Sequence, residues 1–249
     1  MTCWRENFRL RNYEIGPDGR GKTTTMMNLF QEAASHHADE LGIGFSQLMP
    51  KGIGWALTKF QLHMDRYPEY GETVSLRTWP RGRKKIFAYR DVEYSIDNEV
   101  IGKGTSIWCL IDLKERKALS LKEEIPNFPD WDERLFDEEI ANIPSLKEVD
   151  RSWDTKARLT ELDLNGHVNN SVYLGWAVEP VPYEFIGANL PKDITFLFKK
   201  EATLGTTICS KMSFADSART IHSLTDGDDK ELARMSINWS KSNCLKNED

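Results

Sequence analysis

Asp163, Asn165 and His167 stand at alternate positions in ELDLNGHVNNSVYLGWAVEPVP (161–182), followed by Asn169, Asn170 and an apolar run. An acid, an amide and an imidazole so close together can hold a water, move a proton and donate to a developing oxyanion. The run after Asn170 predicts a helix start, which adds N–H donors and a partial positive charge to the same place. The same residue types also build ordinary polar turns that cap helices, so spacing alone leaves both readings open.

Two other stretches carry chemistry by pattern. Gly16 to Thr23, GPDGRGKT, satisfies the phosphate-binding pattern GxxxxGK[ST], and IWCLID, ending at Asp112, resembles the metal-binding strand that accompanies it. A nucleotide hydrolase is therefore a rival reading. The preceding FRLRNYEI weighs against it, because Arg9, Arg11 and Glu14 give it the alternation of an antiparallel strand with one wet face. Repeated strand–helix alternation is also missing from the rest of the chain. Arg77 to Lys85, RTWPRGRKK, concentrates Arg77, Arg81, Arg83, Lys84 and Lys85. Such a run is either a solvated hairpin end or a docking patch for an acidic partner.

Composition narrows the class. The 249 residues are 39% hydrophobic and 29% charged, with a net charge of -6, which argues against general nucleic-acid binding. No apolar run approaches the roughly 18 residues of a membrane span, and MTCWRENFRL lacks the apolar core of a secretory signal. Cys3, Cys109, Cys209 and Cys244 are scattered without a CxxC pair, so neither a zinc site nor a disulfide framework is expected. The expected setting is the cytoplasm, with no membrane partner, no metal and no cofactor.

The elements that must position these residues are written twice. RNYEIGPDGRGKTTTMMNLF (11–30) aligns with RLTELDLNGHVNNSVYLGWA (158–177) at an offset of 147. FQLHMDRYPEYGETVSL (60–76) aligns with ITFLFKKEATLGTTICS (194–210) at an offset of 134, and GKGTSIW with ARMSINW at 131. Each copy reads as a strand, an Asx-Gly turn, a helix and several antiparallel strands. The first helix is expected over 23–41, with Gly42 stopping it and an apolar stripe including Met26, Met27, Phe30 and Ala33. The second is expected from Asn170, broken by Pro180 and Pro182. Residues 1–113 then form one repeat, 114–153 an acidic, proline-bearing linker, and 154–249 the second repeat. A long helix across a curved antiparallel sheet is the hot-dog arrangement, so the expected class is α+β, a double hot-dog.

Three segments resemble one known family. LDLNGHVNNSVYLGWAVEPVP, RNYEIGPDGRGKTTTMMNLFQEAASHHADELG and YPEYGETVSLRTWPRGRKKIFAYRDVEY are similar to acyl-acyl carrier protein thioesterases, the plant FatA/FatB type and their bacterial relatives. The resemblance implies hydrolysis of fatty acyl-acyl carrier protein to free fatty acid in fatty acid biosynthesis. It also implies that the phosphate-loop-like stretch is a turn before the first helix and binds no nucleotide. The family's Asp-x-Asn-x-His motif falls on Asp163, Asn165 and His167, and its hairpin glutamate on Glu201. Plant members carry a cysteine directly after that glutamate; Ala202 stands here. Direct attack by water is then expected, with Glu201 as general base, His167 sharing the proton, and Asn165 and Asp163 positioning. The first repeat is implied to hold the acyl tail, with Met26, Met27, Phe60 and Met64 as lining candidates. The basic run 77–85 becomes the candidate docking site for the acidic carrier protein, and a homodimer is compatible with this reading. Hydrolysis of acyl-CoA at the same site, and acyl binding without catalysis, are the alternatives. A complete Asp/Asn/His/Glu set weighs against the second, since a sensor needs no base.

Overall fold

Trp4–Arg9 forms β1, with Trp4, Glu6 and Phe8 half-buried on one side and Arg5, Asn7 and Arg9 exposed on the other. Thr23–Glu40 forms α1, which closes at Gly42 in the left-handed region (φ 72°) as the sequence predicts. Its stripe of Met26, Met27, Phe30 and Ala33 is completely buried. After α2 (Phe45–Leu48) come β2 (Ile53–Met64), β3 (Thr73–Lys84), β4 (Phe87–Ile96), β5 (Glu99–Asp112) and α3 (Leu121–Glu124). The strands pair antiparallel in the order β1-β3-β4-β5-β2. Asp97 and Asn98, both at positive φ (50° and 69°), make the tight turn between β4 and β5. Tyr94 of β4 donates to the Met26 carbonyl at 3.0 Å and ties the first turn of α1 to the sheet.

The computed structural model describes residues 3–242 and divides into two compact units at Ala141/Asn142. The second unit repeats the order of the first. It consists of β6 (Arg151–Lys156), α4 (Asn170–Val178), α5 (Tyr183–Ala188), β7 (Asn189–Phe198), β8 (Thr207–Asp216), β9 (Arg219–Asp226) and β10 (Glu231–Lys241). Its sheet runs β6-β8-β9-β10-β7, antiparallel throughout. The helix α4 has 9 residues against 18 in α1, because Pro180 and Pro182 end it. Two units of strand, helix and four further strands make the α+β double hot-dog expected from the repeat.

Residues 114–141, expected as the first part of the linker, pack along the first unit as a strap. Arg83 donates to the carbonyls of Leu121 and Pro126, both at 2.9 Å. The Trp79 indole donates to the Glu133 carbonyl at 2.9 Å, and the Leu135 N–H donates to the Asp91 carboxylate at 3.0 Å. Side chains of β3 and β4 thus satisfy part of its backbone, alongside isolated bridges of Asp130 to Arg81 and of Ala118 to Ile111.

The second core holds a buried imidazole. His222 of β9 is 0% exposed, with Nε2 2.8 Å from the Thr220 hydroxyl. Burial pushes its pKa down to about 4. A depressed value means the folded state holds the neutral ring and the unfolded chain takes up the proton first, near 6.5. The stabilisation is therefore present above pH 6.5 and is lost as pH falls toward 4, by about 3 kcal/mol in all. In thermal melts between pH 7 and pH 4, wild type is expected to lose more stability than His222→Gln. Parallel curves for the two proteins would contradict this account.

Candidate active site

The loop between β6 and α4 folds by short local bonds. The Asp163 N–H donates to the His167 carbonyl at 2.8 Å, and Gly166 N–H donates to the Asp163 carbonyl at 3.0 Å. This turn puts Gly166 at φ 74°, where a side chain would be strained. The Asp163 carboxylate accepts from the N–H groups of Asn165 (2.8 Å) and His167 (3.3 Å). One carboxylate oxygen thus fixes the backbone that carries both other members of the motif. Asn165 is exposed at the tip, and Asn169 caps α4 by accepting from the Ser171 N–H at 2.9 Å.

Glu201 lies on the connection between β7 and β8, far along the chain from this loop. The fold brings it to His167, with Nε2 3.5 Å from the glutamate Oε2. Their side chains are 23% and 33% exposed, so the pair is reachable yet partly desolvated. The separation is longer than a well-formed hydrogen bond. Of the four expected residues, the fold brings the side chains of His167 and Glu201 together, Asp163 fixes the loop through backbone N–H groups, and Asn165 stands exposed at its tip. Ala202 is 1% exposed and turned into the core.

The first unit shows the same loop without these groups. Lys22 N–H donates to the Glu14 carbonyl as Asn169 N–H does to that of Glu161, both at 2.9 Å. Gly16 N–H reaches the Arg20 carbonyl at 2.7 Å, matching Asp163 and His167, and Gly21 N–H reaches Pro68 at 2.7 Å, matching Val168 and Ala202 at 3.0 Å. By this bond-for-bond match, Arg20 occupies the place of His167 and Tyr67 that of Glu201. The chemistry-bearing pair belongs to one repeat alone. The stretch 16–23 is this turn, and it follows a terminal antiparallel strand instead of a central parallel one. That topology overturns the nucleotide-hydrolase reading. Lys22 donates its ammonium to the Tyr13 carbonyl at 2.8 Å.

Met26, Met27, Phe60 and Met64 lie in the first unit's core, each at most 2% exposed, with Phe60 stacked on Phe30 at 5.3 Å. In the basic run 77–85, three of the arginines have partners within the first unit. Arg77 bonds both Glu93 and Glu133, Arg83 holds the strap carbonyls, and Arg81 meets the fully buried Asp91 at 3.0 Å. Lys84 pairs with Glu139 on the surface, and Lys85 is an exposed turn residue at φ 57°. Sequence reading missed Tyr173 of α4, whose hydroxyl accepts from the Ala202 N–H at 2.6 Å. The available signal was a tyrosine on the apolar face of a short helix, since a buried phenol requires a polar partner.

Fold and site together define a hot-dog protein built as a tandem repeat, with a histidine–carboxylate pair in its second half. Residues 2–128 match the Acyl-ACP thioesterase N-terminal domain, and residues 145–241 match the Acyl-ACP thioesterase C-terminal domain. The chain belongs to the acyl-ACP thioesterase family. It is 30% identical over 228 residues to a chloroplastic palmitoyl-acyl carrier protein thioesterase of Gossypium hirsutum, covering 85% of this chain and 55% of that one. It is 29% identical over 240 residues to the chloroplastic acyl-[acyl-carrier-protein] hydrolase FATB2 of Cuphea viscosissima, covering 90% and 56%. The chain thus spans a little over half the length of these curated relatives. The 12:0-ACP thioesterase from Umbellularia californica shares the fold with a TM-score of 0.87 at 24% identity, covering 96% of this chain and 98% of that one. An acyl-ACP thioesterase from Bacteroides thetaiotaomicron does so with a TM-score of 0.86 at 18% identity, covering 96% and 98%.

Proposed function

We propose that this protein hydrolyses the thioester of fatty acyl-acyl carrier protein, releasing free fatty acid and the carrier's thiol. The observation that carries the reading is the pairing of His167 with Glu201, 3.5 Å apart, on the repeat that bears the family's motif. Glu201 takes a proton from the attacking water as its oxygen bonds to the carbonyl carbon. His167 relays that proton to the sulfur as the carbon–sulfur bond breaks. Asp163 holds the loop through two backbone N–H groups. The Asn165 amide, exposed at the tip, holds the carbonyl oxygen or the water in this reading. The first turn of α4, three residues past His167, lends its positive end to the developing oxyanion.

A role in fatty acid biosynthesis follows from this substrate. Accommodation of the acyl tail among the buried side chains of the first unit belongs to the same proposal. A reducing compartment such as the cytoplasm fits Cys3, Cys109 and Cys209, which are free thiols; Cys244 lies outside the described residues. The test is free fatty acid release from carrier proteins loaded with chains of graded length, run in parallel with the corresponding acyl-CoA series. Faster release from the carrier-bound series is expected. Release from acyl-CoA alone would assign a different thioester, and retention of acyl groups without release would assign a binding protein.

A further inference from the structure

Two bonds converge on the Ala202 peptide, directly after Glu201. Its carbonyl accepts from the N–H of Val168, directly after His167, at 3.0 Å. Its N–H donates to the Tyr173 hydroxyl at 2.6 Å. The first bond joins the two loops that carry the catalytic pair. The second ties the glutamate loop to α4. Ala202 and Tyr173 are 1% and 2% exposed, so water cannot replace a lost partner. The Tyr173 ring is held by Phe198, edge-on at 5.7 Å, and by Trp176 at 5.5 Å. Burial pushes the phenol up to about 12, which keeps its oxygen a neutral acceptor at working pH.

The first unit separates a general packing role from a specific one. It reproduces the loop-to-loop bond, with Gly21 donating to Pro68. It has no counterpart of the tyrosine bond: Met26 aligns with Tyr173 and has no hydroxyl, and Pro68 aligns with Ala202 and has no N–H. The hot-dog fold is thus built without this bond in the repeat that lacks the histidine–glutamate pair, and with it in the repeat that has one.

We propose that Tyr173 is a positioning residue for thioester hydrolysis: through the Ala202 N–H it holds the Glu201 carboxylate within reach of His167. The proposal rests on the hydrolytic reading above. It is tested with Tyr173→Phe, which removes one oxygen and keeps the ring, and with Ala202→Pro, which removes the donor and copies the first unit. Each is expected to lower kcat about tenfold or more with KM changed less than about twofold, since small misplacements of a catalytic group act on the chemical step. The His167 imidazole titration, followed by NMR and assigned by its loss in His167→Ala, is expected to move in both variants toward that of Glu201→Gln. The double variant should move it no further, because both changes break one bond. Should Tyr173→Phe fail to fold, Ala202→Pro alone decides. Wild-type kcat with an unchanged titration would overturn the proposal. A lower melting temperature with an unchanged titration would also overturn it, leaving Tyr173 as packing. The titration reads the pair without substrate, so failure of the positioning role and failure of the hydrolytic reading are distinguished.

Discussion

Glu201→Gln is expected to reduce the rate of fatty acid release by about 10²- to 10⁴-fold while the protein remains folded. Glutamine preserves the shape of the side chain and its acceptor oxygen, so contacts to His167 and to solvent are retained. What it cannot do is take a proton from water near neutral pH. Glu201 is a third exposed and contributes no buried charge whose removal would unfold the unit. The effect should therefore appear in kcat with little change in melting temperature. His167→Ala should fall in the same range, and the double variant should lose little beyond the worse single one, because the two groups act as a unit. Free fatty acid from a carrier-bound substrate is the quantity to measure. Turnover within a few fold of wild type in Glu201→Gln would remove the glutamate from the base role.

Arg81→Met is expected to destabilise the first unit by about 3–5 kcal/mol, the usual cost of removing one partner of a buried ion pair. Asp91 is completely buried, and the Arg81 Nε lies 3.0 Å from its carboxylate. The guanidinium also lies over the Tyr89 ring at 5.0 Å. Without the arginine, the Asp91 carboxylate stays in the core with the Leu135 N–H beside it at 3.0 Å. Adding Asp91→Leu to Arg81→Met should recover part of the loss, since an apolar pair of similar volume avoids the stranded charge. Denaturant unfolding of the two variants measures both effects. Had Arg81 served a docking surface, its replacement would weaken carrier binding and leave the unfolding midpoint unchanged. That result would reverse the structural assignment made from its burial.

The elements that were legible in the sequence are those set by local chemistry. The span of α1 followed from Thr23, the apolar stripe and Gly42; the shortness of α4 followed from Pro180 and Pro182. The repeat was legible because Asx-Gly turns and strand patterns recur at nearly constant offsets. The motif 163–167 is also local, so its loop could be anticipated, whereas its meeting with Glu201 came from family resemblance. The partners of the basic run 77–85 were not legible, because a charge count does not say which cations are neutralised. Glu93 and Asp91 do this from the neighbouring strand β4 and Glu133 from the strap, pairings that residue counts within the run do not reveal. The Tyr173 bond was invisible for a related reason, since its partner is a backbone N–H that every residue type except proline offers. Met26, Met27, Phe60 and Met64 were correctly read as apolar and inward-facing, but periodicity does not distinguish a packed core from the wall of a tunnel.

The bond-for-bond match between the loops at 16–21 and 163–168 has an evolutionary consequence. When two identical subunits associate, any substitution is made in both at once, and neither copy can specialise without damaging the other. Joining the copies in one polypeptide lifts that restriction. Arg20 and Tyr67 stand where the other repeat has His167 and Glu201, a divergence that halves encoded as separate stretches of one gene allow. A repeat without the histidine–glutamate pair can be shaped by other demands.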